Sequence, residues 1–189
     1  MRAFIGIDFE TEFKNKMDEL QQRLRKYAIH GRWKHFDNFH LTLKFLEDIN
    51  FTQQRQIDSS MEKLCASVKP FRLTITEMGI FDGRDSIRVL WLGLAGDTQE
   101  LDLLHEGIDN TFALLGFPPE KRNYKPHITI GQDIAFECGF DQIRDIIGEL
   151  QFGPISVNSL FLFRSEQVEN RRIYSKVSRY DFKKSGDVS

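Results

Sequence analysis

The sequence is poor in several kinds of residue, and each scarcity removes a class of protein. Its 189 residues include only two cysteines, Cys65 and Cys138, which stand in unrelated contexts without the close spacing of metal or redox motifs. We therefore expect two reduced thiols. No apolar run approaches the roughly 20 residues that a bilayer span requires, and "MRAFIGIDFE" reaches an acidic residue too early for a signal-peptide core. These absences predict a cytoplasmic protein with no membrane partner.

The sequence also lacks an excess of basic over acidic residues. The formal net charge is −2, whereas proteins that coat nucleic acid by electrostatics carry a strong positive charge. That mode of binding is excluded, and a small anionic ligand stays possible. The hydrophobic share of 40% and the 17 phenylalanines predict a globular protein with an aromatic-rich core.

Hydrophobic periodicity predicts the same order of elements in both halves: strand, helix, strand, helix, strand. In the first half the strands are "RAFIGIDF", "FHLTLKFL" and "FRLTITEM", with one helix along Phe13 to Tyr27 and another from Thr52 as its N-cap. The second half begins after the turn "FDGRDS" and reads "SIRVLWLGL", a helix ended by Gly116, "KPHITIGQ", a helix from Phe140 to Leu150, "ISVNSLFLF" and "RRIYSKVSRY". We expect one two-lobed, duplicated domain over 1–189, with lobes 1–80 and 86–182 and a disordered tail 183–189.

A His-x-Thr motif occupies the middle strand of each half. Side chains alternate along a strand, so His40 and Thr42 share one face while the neighbouring leucines anchor the other face in a core. The same holds for His127 and Thr129. If the two halves pack about a pseudo-twofold axis, the four polar side chains converge in one cleft.

Such a cleft suits phosphoryl chemistry. In-line displacement at phosphorus needs one group to accept a proton from the attacking oxygen and another to protonate the leaving oxygen, and two imidazoles can do both near neutral pH. The threonine hydroxyls can donate hydrogen bonds to the non-bridging oxygens. A metal site is the alternative use of two histidines, but no carboxylate or cysteine accompanies either motif at ligand spacing, so we expect no metal and no cofactor. His30 and His35, in a charged helix-to-strand loop, and His105, on an amphipathic helix, are interpreted as structural or solvated.

The motifs "HLTL" and "HITI", together with "RAFIGIDF", "RVLWLGL", "RNYKPHITI" and "LFLFRSE", resemble the two-histidine phosphoesterase superfamily along almost the whole chain. The nearest branch is that of the bacterial RNA 2′,3′-cyclic phosphodiesterases, the LigT-like proteins also called 2′-5′ RNA ligases. The resemblance implies a bilobal α+β fold, with two antiparallel sheets, helices outside and an active-site groove between the sheets. It also implies hydrolysis of a terminal 2′,3′-cyclic phosphate to a 2′-phosphate, with RNA ends or nucleotides as partners.

Carried onto this chain, the resemblance makes His40 the proton donor and His127 the proton acceptor, with Thr42 and Thr129 binding the phosphate. The motifs alone leave that orientation open, because the scheme is nearly symmetric. Two departures concern substrate preference: Gln132 stands where many relatives have a basic residue, and Glu47 replaces a common glycine. Candidates to supply the missing positive charge are Arg122, Lys125 and Arg164, and Tyr124 is a candidate for stacking on a base.

Three functions are therefore compared. The first is a metal-independent cyclic phosphodiesterase for RNA ends, acting as a monomer without an obligate protein partner. The second is a nucleotide-binding module that has lost turnover. The third is a phosphodiesterase for another cyclic phosphate, such as that of ADP-ribose, or for 2′-5′ oligonucleotides.

Overall fold

In the part of the chain that the structure describes, nine strands and four α-helices build the fold. The computed structural model describes residues 1–120, 123–169 and 171–183. The strands are β1 (Arg2–Asp8), β2 (Ala28–Trp33), β3 (His40–Asp48), β4 (Phe71–Asp82), β5 (Ile87–Gly96), β6 (His127–Phe136), β7 (Ile155–Val157), β8 (Ser159–Val168) and β9 (Arg171–Asp181). The helices are α1 (Thr11–Arg25), α2 (Phe51–Cys65), α3 (Thr98–Leu114) and α4 (Phe140–Ile147).

The strands form two antiparallel sheets, one of four strands in the order β3-β1-β8-β9 and one of five in the order β2-β6-β5-β4-β7. This confirms the predicted α+β fold with two antiparallel sheets. The sheets do not follow the lobes 1–80 and 86–182, however, because β4 pairs with β5 while β8 pairs with β1. Each sheet therefore needs strands from both halves of the chain.

The core lies on one face of each sheet, under the helices. Leu41 and Leu43 of β3 are 1% exposed, and Ile128 and Ile130 of β6 are fully buried, as the alternation in both motifs predicts. The helices add apolar side chains to the same cluster: Met17 from α1, Ile57 from α2, Leu104 from α3 and Ile143 from α4. Each fully buried aliphatic side chain contributes about 1.5–3 kcal/mol. The opposite face of the motif strands is left for polar side chains.

Some local predictions were wrong. His30, expected in a loop between a helix and a strand, lies on the edge strand β2. Exposed side chains such as Ile29 give this strand no clear apolar face. Helix α2 is capped by Asn50 rather than Thr52, through a capping box with Gln53. The stretch "ISVNSLFLF" is two strands, because the chain passes at Asn158 from the five-stranded sheet to the other.

No helix in the described residues is long and apolar enough to cross a membrane. The predicted disordered tail lies outside the described residues from position 184 onwards.

Candidate active site

A cavity of about 960 Å³ lies where the two sheets meet. Strand β3 contributes His40 and Thr42 to its wall, and strand β6, which contacts β3, contributes His127 and Thr129. The structure therefore brings together the four motif side chains, although they lie in different sheets. In the described part of the chain, no group of three or more His, Cys, Asp or Glu side chains is arranged to hold a metal ion.

The backbone fixes the same orientation in both imidazoles. The Nδ1 atom of His40 lies 2.7 Å from the carbonyl oxygen of Asn38, and that of His127 lies 2.7 Å from the carbonyl oxygen of Lys125. A carbonyl oxygen can only accept, so each Nδ1 carries a hydrogen and donates it. In the neutral ring Nε2 is then free to accept a proton. Both histidines bond the carbonyl two residues upstream, so the duplication extends to this contact.

His40 lies in an aromatic pocket of the four-stranded sheet. Its ring is 4.6 Å from the ring of Phe4 and 5.0 Å, edge to face, from that of Tyr174, measured between centroids. Burial lowers the pKa of His40 to about 4, because desolvation disfavours the imidazolium. Nε2 lies 3.0 Å from the Thr42 hydroxyl, which can donate to it. At neutral pH the unliganded site therefore holds a neutral His40 with a hydroxyl on its reactive nitrogen.

His127 has a matching aromatic support in the other sheet. Its ring lies 5.2 Å from Phe81 and 6.4 Å from Trp91, again between centroids. The Trp91 ring can lie there because Gly79 faces it from the neighbouring strand: a Cβ at Gly79 would come within 2.3 Å of the indole. Even alanine at position 79 would force the ring to move.

Both motif strands have an irregularity just after the threonine. Pairing with β1 skips Leu43, and pairing of β6 with β5 skips Ile130. Such a bulge moves the following side chains to the opposite face. Lys44, which strict alternation would put beside Thr42, is instead buried in the core, and Phe45 lines the cavity with its side chain 68% exposed. Gln132 occupies the matching place, five residues after His127.

Tyr124 supports the site rather than standing free in it. Its ring stacks on that of His105 at 3.9 Å between centroids, and its hydroxyl donates to the carbonyl oxygen of Thr42 at 3.1 Å. Burial raises the pKa of Tyr124, so the hydroxyl keeps the hydrogen that this bond requires. Since His105 covers one ring face, the predicted stacking on a base is restricted to the other. His105 is itself 9% exposed, as expected for a structural histidine.

The other predicted cations have different positions. Lys125 lines the cavity. Arg164 does not: it lies on β8 one residue beyond Phe163, which contacts His40, and its guanidinium pairs with Glu166. Neighbouring side chains of a strand face opposite ways, so Arg164 faces away from the side of β8 on which Phe163 contacts His40. Arg122 lies outside the described residues.

Several cavity residues were not predicted from the sequence. Lys34, Arg88, Phe45 and Phe81 all line the wall. Lys34 follows the unpredicted strand β2, and its backbone nitrogen donates to the carbonyl oxygen of Ile130 on β6 at 3.0 Å. Recognising β2 as a partner of β6 would have placed Lys34 near the site. Phe45 faces the cavity only because of the bulge, and no residue type in "FHLTLKFL" indicates that bulge.

Two imidazoles and two hydroxyls lie around one cavity, each pair presented by the same motif, and this set of groups fits the proton transfers and charge stabilisation of phosphoester hydrolysis. Comparisons with known proteins agree. The family model described as LigT like Phosphoesterase matches residues 7–91 and again residues 92–174. The chain belongs to this family of enzymes, as its motifs indicated.

Curated relatives and solved structures extend the match to nearly the full length. The RNA 2′,3′-cyclic phosphodiesterase of Methanothermobacter thermautotrophicus is 30% identical, covering 93% of this chain and 95% of the relative. The protein of the same name from Thermotoga maritima is 34% identical, covering 83% of this chain and 81% of the relative. The crystal structure of E. coli LigT complexed with 3′-AMP covers 97% of this chain and 98% of its own with a TM-score of 0.80 at 23% identity, a likeness of fold.

Proposed function

We propose that this protein hydrolyses the 2′,3′-cyclic phosphate at RNA ends to a 2′-phosphate, using His40 and His127 without a metal ion. The observation that carries the proposal is the pair of imidazoles in one cavity, each held through Nδ1 by a backbone carbonyl so that Nε2 is the reactive atom. The names of the two relatives that are at least 30% identical support the same substrate class.

His127 acts as the proton acceptor. Its Nε2 removes a proton from water as the water oxygen attacks phosphorus, and the bond from phosphorus to the ribose 3′ oxygen breaks. His40 donates a proton through Nε2 to that departing oxygen, so the cycle consumes one water and needs no other reactant. Thr42 and Thr129 donate hydrogen bonds to the non-bridging oxygens, where negative charge increases in the transition state.

His40 needs a proton before it can donate one. In the unliganded protein its pKa of about 4 leaves it neutral at pH 7. A bound phosphate beside the ring favours the imidazolium, because an opposite charge in a cavity of low dielectric raises the pKa of a base. Binding of the substrate thus favours the protonated form of His40 that the reaction requires. The cytoplasmic location and the monomeric state expected from the sequence belong to this proposal.

Turnover by the wild-type protein tests the proposal. RNA ending in a 2′,3′-cyclic phosphate should be hydrolysed in EDTA, and H40A and H127A should each lose on the order of 10² to 10⁴ in kcat. The variant H35Q, at an exposed histidine outside the cavity, is the matched control and should keep the wild-type rate. Turnover that appears only when a metal is added contradicts the mechanism.

The same assay separates the alternative functions. A binding module without turnover would bind nucleotides but hydrolyse no cyclic phosphate. A higher kcat/KM for an ADP-ribose cyclic phosphate or a 2′-5′ oligonucleotide than for RNA ends would identify that compound as the preferred substrate. The proposed roles of the two histidines would be unchanged.

A further inference from the structure

The cavity has a cationic end that the two-histidine mechanism does not use. Lys34 forms part of the wall there, beside Tyr174. Its Nζ lies 5.4 Å from the centroid of the Tyr174 ring, and that ring in turn contacts the ring of His40. Lys34 is therefore one side chain removed from the imidazole proposed to act on the cyclic phosphate.

Arg172 places a second cation beside this end, close enough to act on Lys34, although the exposed Arg172 side chain does not itself line the cavity. Arg172 and Tyr174 are two residues apart on β9 in an unbroken register with β8, so they share a face of the sheet. The side-chain amide of Asn38 links this segment to the site: it donates to the Arg172 carbonyl oxygen at 2.7 Å and accepts from the Tyr174 nitrogen at 3.3 Å. The backbone carbonyl of the same Asn38 orients His40. The distance between the cationic end and His40 is thereby fixed.

Neither cation has an anionic partner among the side chains that the structure describes. Within residues 1–120, 123–169 and 171–183, no carboxylate forms an ion pair with Lys34 or Arg172, whereas neighbouring Arg32 pairs with Asp133 and Lys176 pairs with Asp8. Burial lowers the pKa of Lys34, and the positive charges of Arg172 and Arg32 lower it further. Lys34 is partly desolvated and Arg172 is exposed, and an anion bound between them would stabilise both charges.

We propose that Lys34 and Arg172 form a subsite for a second phosphate group of the substrate, next to the position of the cyclic phosphate. This inference rests on the proposed function. A position one side chain away from His40 suits a neighbouring phosphate of the same molecule. The second phosphate can be the internucleotide phosphodiester of an RNA end or the 5′-phosphate of a single nucleotide. Asn38 fixes the position of this subsite relative to His40, because it binds both His40 and the segment from Arg172 to Tyr174.

Three substrates with the same terminal base test the subsite: a nucleoside 2′,3′-cyclic phosphate, the same compound with a 5′-phosphate, and a dinucleotide ending in 2′,3′-cyclic phosphate. The wild-type protein should prefer the two substrates that carry a second phosphate. K34Q and R172Q should each lower kcat/KM for those two roughly tenfold or more, mainly through KM, since each variant removes a charged hydrogen-bond donor from the second phosphate. The loss on the nucleoside substrate should be much smaller. A preference for the dinucleotide over the 5′-phosphate identifies an internucleotide phosphodiester as the ligand.

The control variant is K63Q, which removes an exposed lysine on α2 and should change none of the three values. Equal losses on all three substrates, or no loss in K34Q and R172Q, would overturn the subsite. Failure of the proposed function gives a different result, in which the wild-type protein hydrolyses none of the three. In that case calorimetry tests the subsite by measuring how tightly the intact dinucleotide binds. The K34Q substitution must then weaken dinucleotide binding more than it weakens binding of the nucleoside 2′,3′-cyclic phosphate.

Discussion

At the scale of single residues, His40 combines reactivity with a cost in stability at low pH. Its pKa is lowered to about 4 in the folded protein from an ordinary value of 6.5. The unfolded chain therefore binds more protons between these two values, and the free energy of unfolding falls as the pH drops through this window. The same burial that keeps His40 neutral in the unliganded site makes the fold sensitive to acid.

Replacing His40 should remove this sensitivity. From pH 7 to pH 5, we expect the wild-type protein to lose about 2 kcal/mol more unfolding free energy than H40Q. Urea unfolding at both pH values measures the difference, and an unchanged m value shows that the two proteins expose the same surface. If wild type and H40Q lose stability in parallel, the burial of a neutral His40 is not what limits stability in acid.

Tyr124 has a different role as a residue, since its hydroxyl supports the backbone of Thr42. Y124F keeps the ring stacked on His105 but leaves the Thr42 carbonyl without this donor. We expect a loss of about 1 kcal/mol in unfolding free energy and a several-fold lower kcat, because Thr42 is then held less firmly. Y27F, at a tyrosine outside the cavity, is the matched control for kcat. A kcat equal to that of wild type in Y124F would show that the bond does not position Thr42.

At the scale of elements, the motif strand β3 is fixed by an ion pair that the bulge creates. Lys44, 2% exposed, donates to the Asp109 carboxylate on α3 and to the Pro118 carbonyl oxygen at 2.8 Å. Asp109 is 19% exposed and can reach water. The pair attaches β3 to α3 and to the segment that leads towards Tyr124.

The two partners should therefore differ in the cost of their removal. D109A leaves an ammonium buried without a counter-ion and should cost about 3–5 kcal/mol, whereas K44M leaves a carboxylate that water can solvate and should cost less. The double variant K44M/D109L should be more stable than D109A. Chemical denaturation of the three variants measures this order. If D109A is as stable as K44M, leaving the Lys44 ammonium without its counter-ion does not have the predicted cost in unfolding free energy.

The same element shows how far the sequence could be interpreted. The alternation in "FHLTLKFL" correctly predicted a strand with Leu41 and Leu43 in the core. It could not indicate the bulge, because Lys44 and Phe45 are ordinary strand residues and the skip depends on pairing with β1. Strand β2 was missed for a related reason: an edge strand paired only with β6 has little apolar surface to bury.

At the scale of the whole molecule, the duplication is visible in the sequence but its folding is not. The repeat of elements predicted two similar halves, and the family model also matches the chain twice. The turn "FDGRDS" between β4 and β5 is typical of a hairpin, but the pairing of β8 with β1 depends on tertiary contacts and has no local signal. That the four motif side chains meet in one cavity could be predicted, because each motif carries its own histidine, threonine and core anchors.

This exchange of strands predicts that neither half folds alone. A fragment of residues 1–83 lacks two of the four strands of the sheet that contains His40, and a fragment of residues 84–189 lacks β2 and β4. Each should show no cooperative unfolding transition, while an equimolar mixture should regain one. Circular dichroism during urea titration measures this. A cooperative transition in either fragment by itself would contradict the prediction.

If one cyclic phosphate binds between His40 and His127, the identity of the bond that breaks is the most direct test of this arrangement. An RNA with a terminal 2′,3′-cyclic phosphate is treated with wild-type protein in EDTA, and the product is identified by ³¹P nuclear magnetic resonance. We expect a single 2′-phosphate product, absent with H40A or H127A on the same time scale. A 3′-phosphate, a mixture of both isomers, or undiminished turnover by either variant would contradict it.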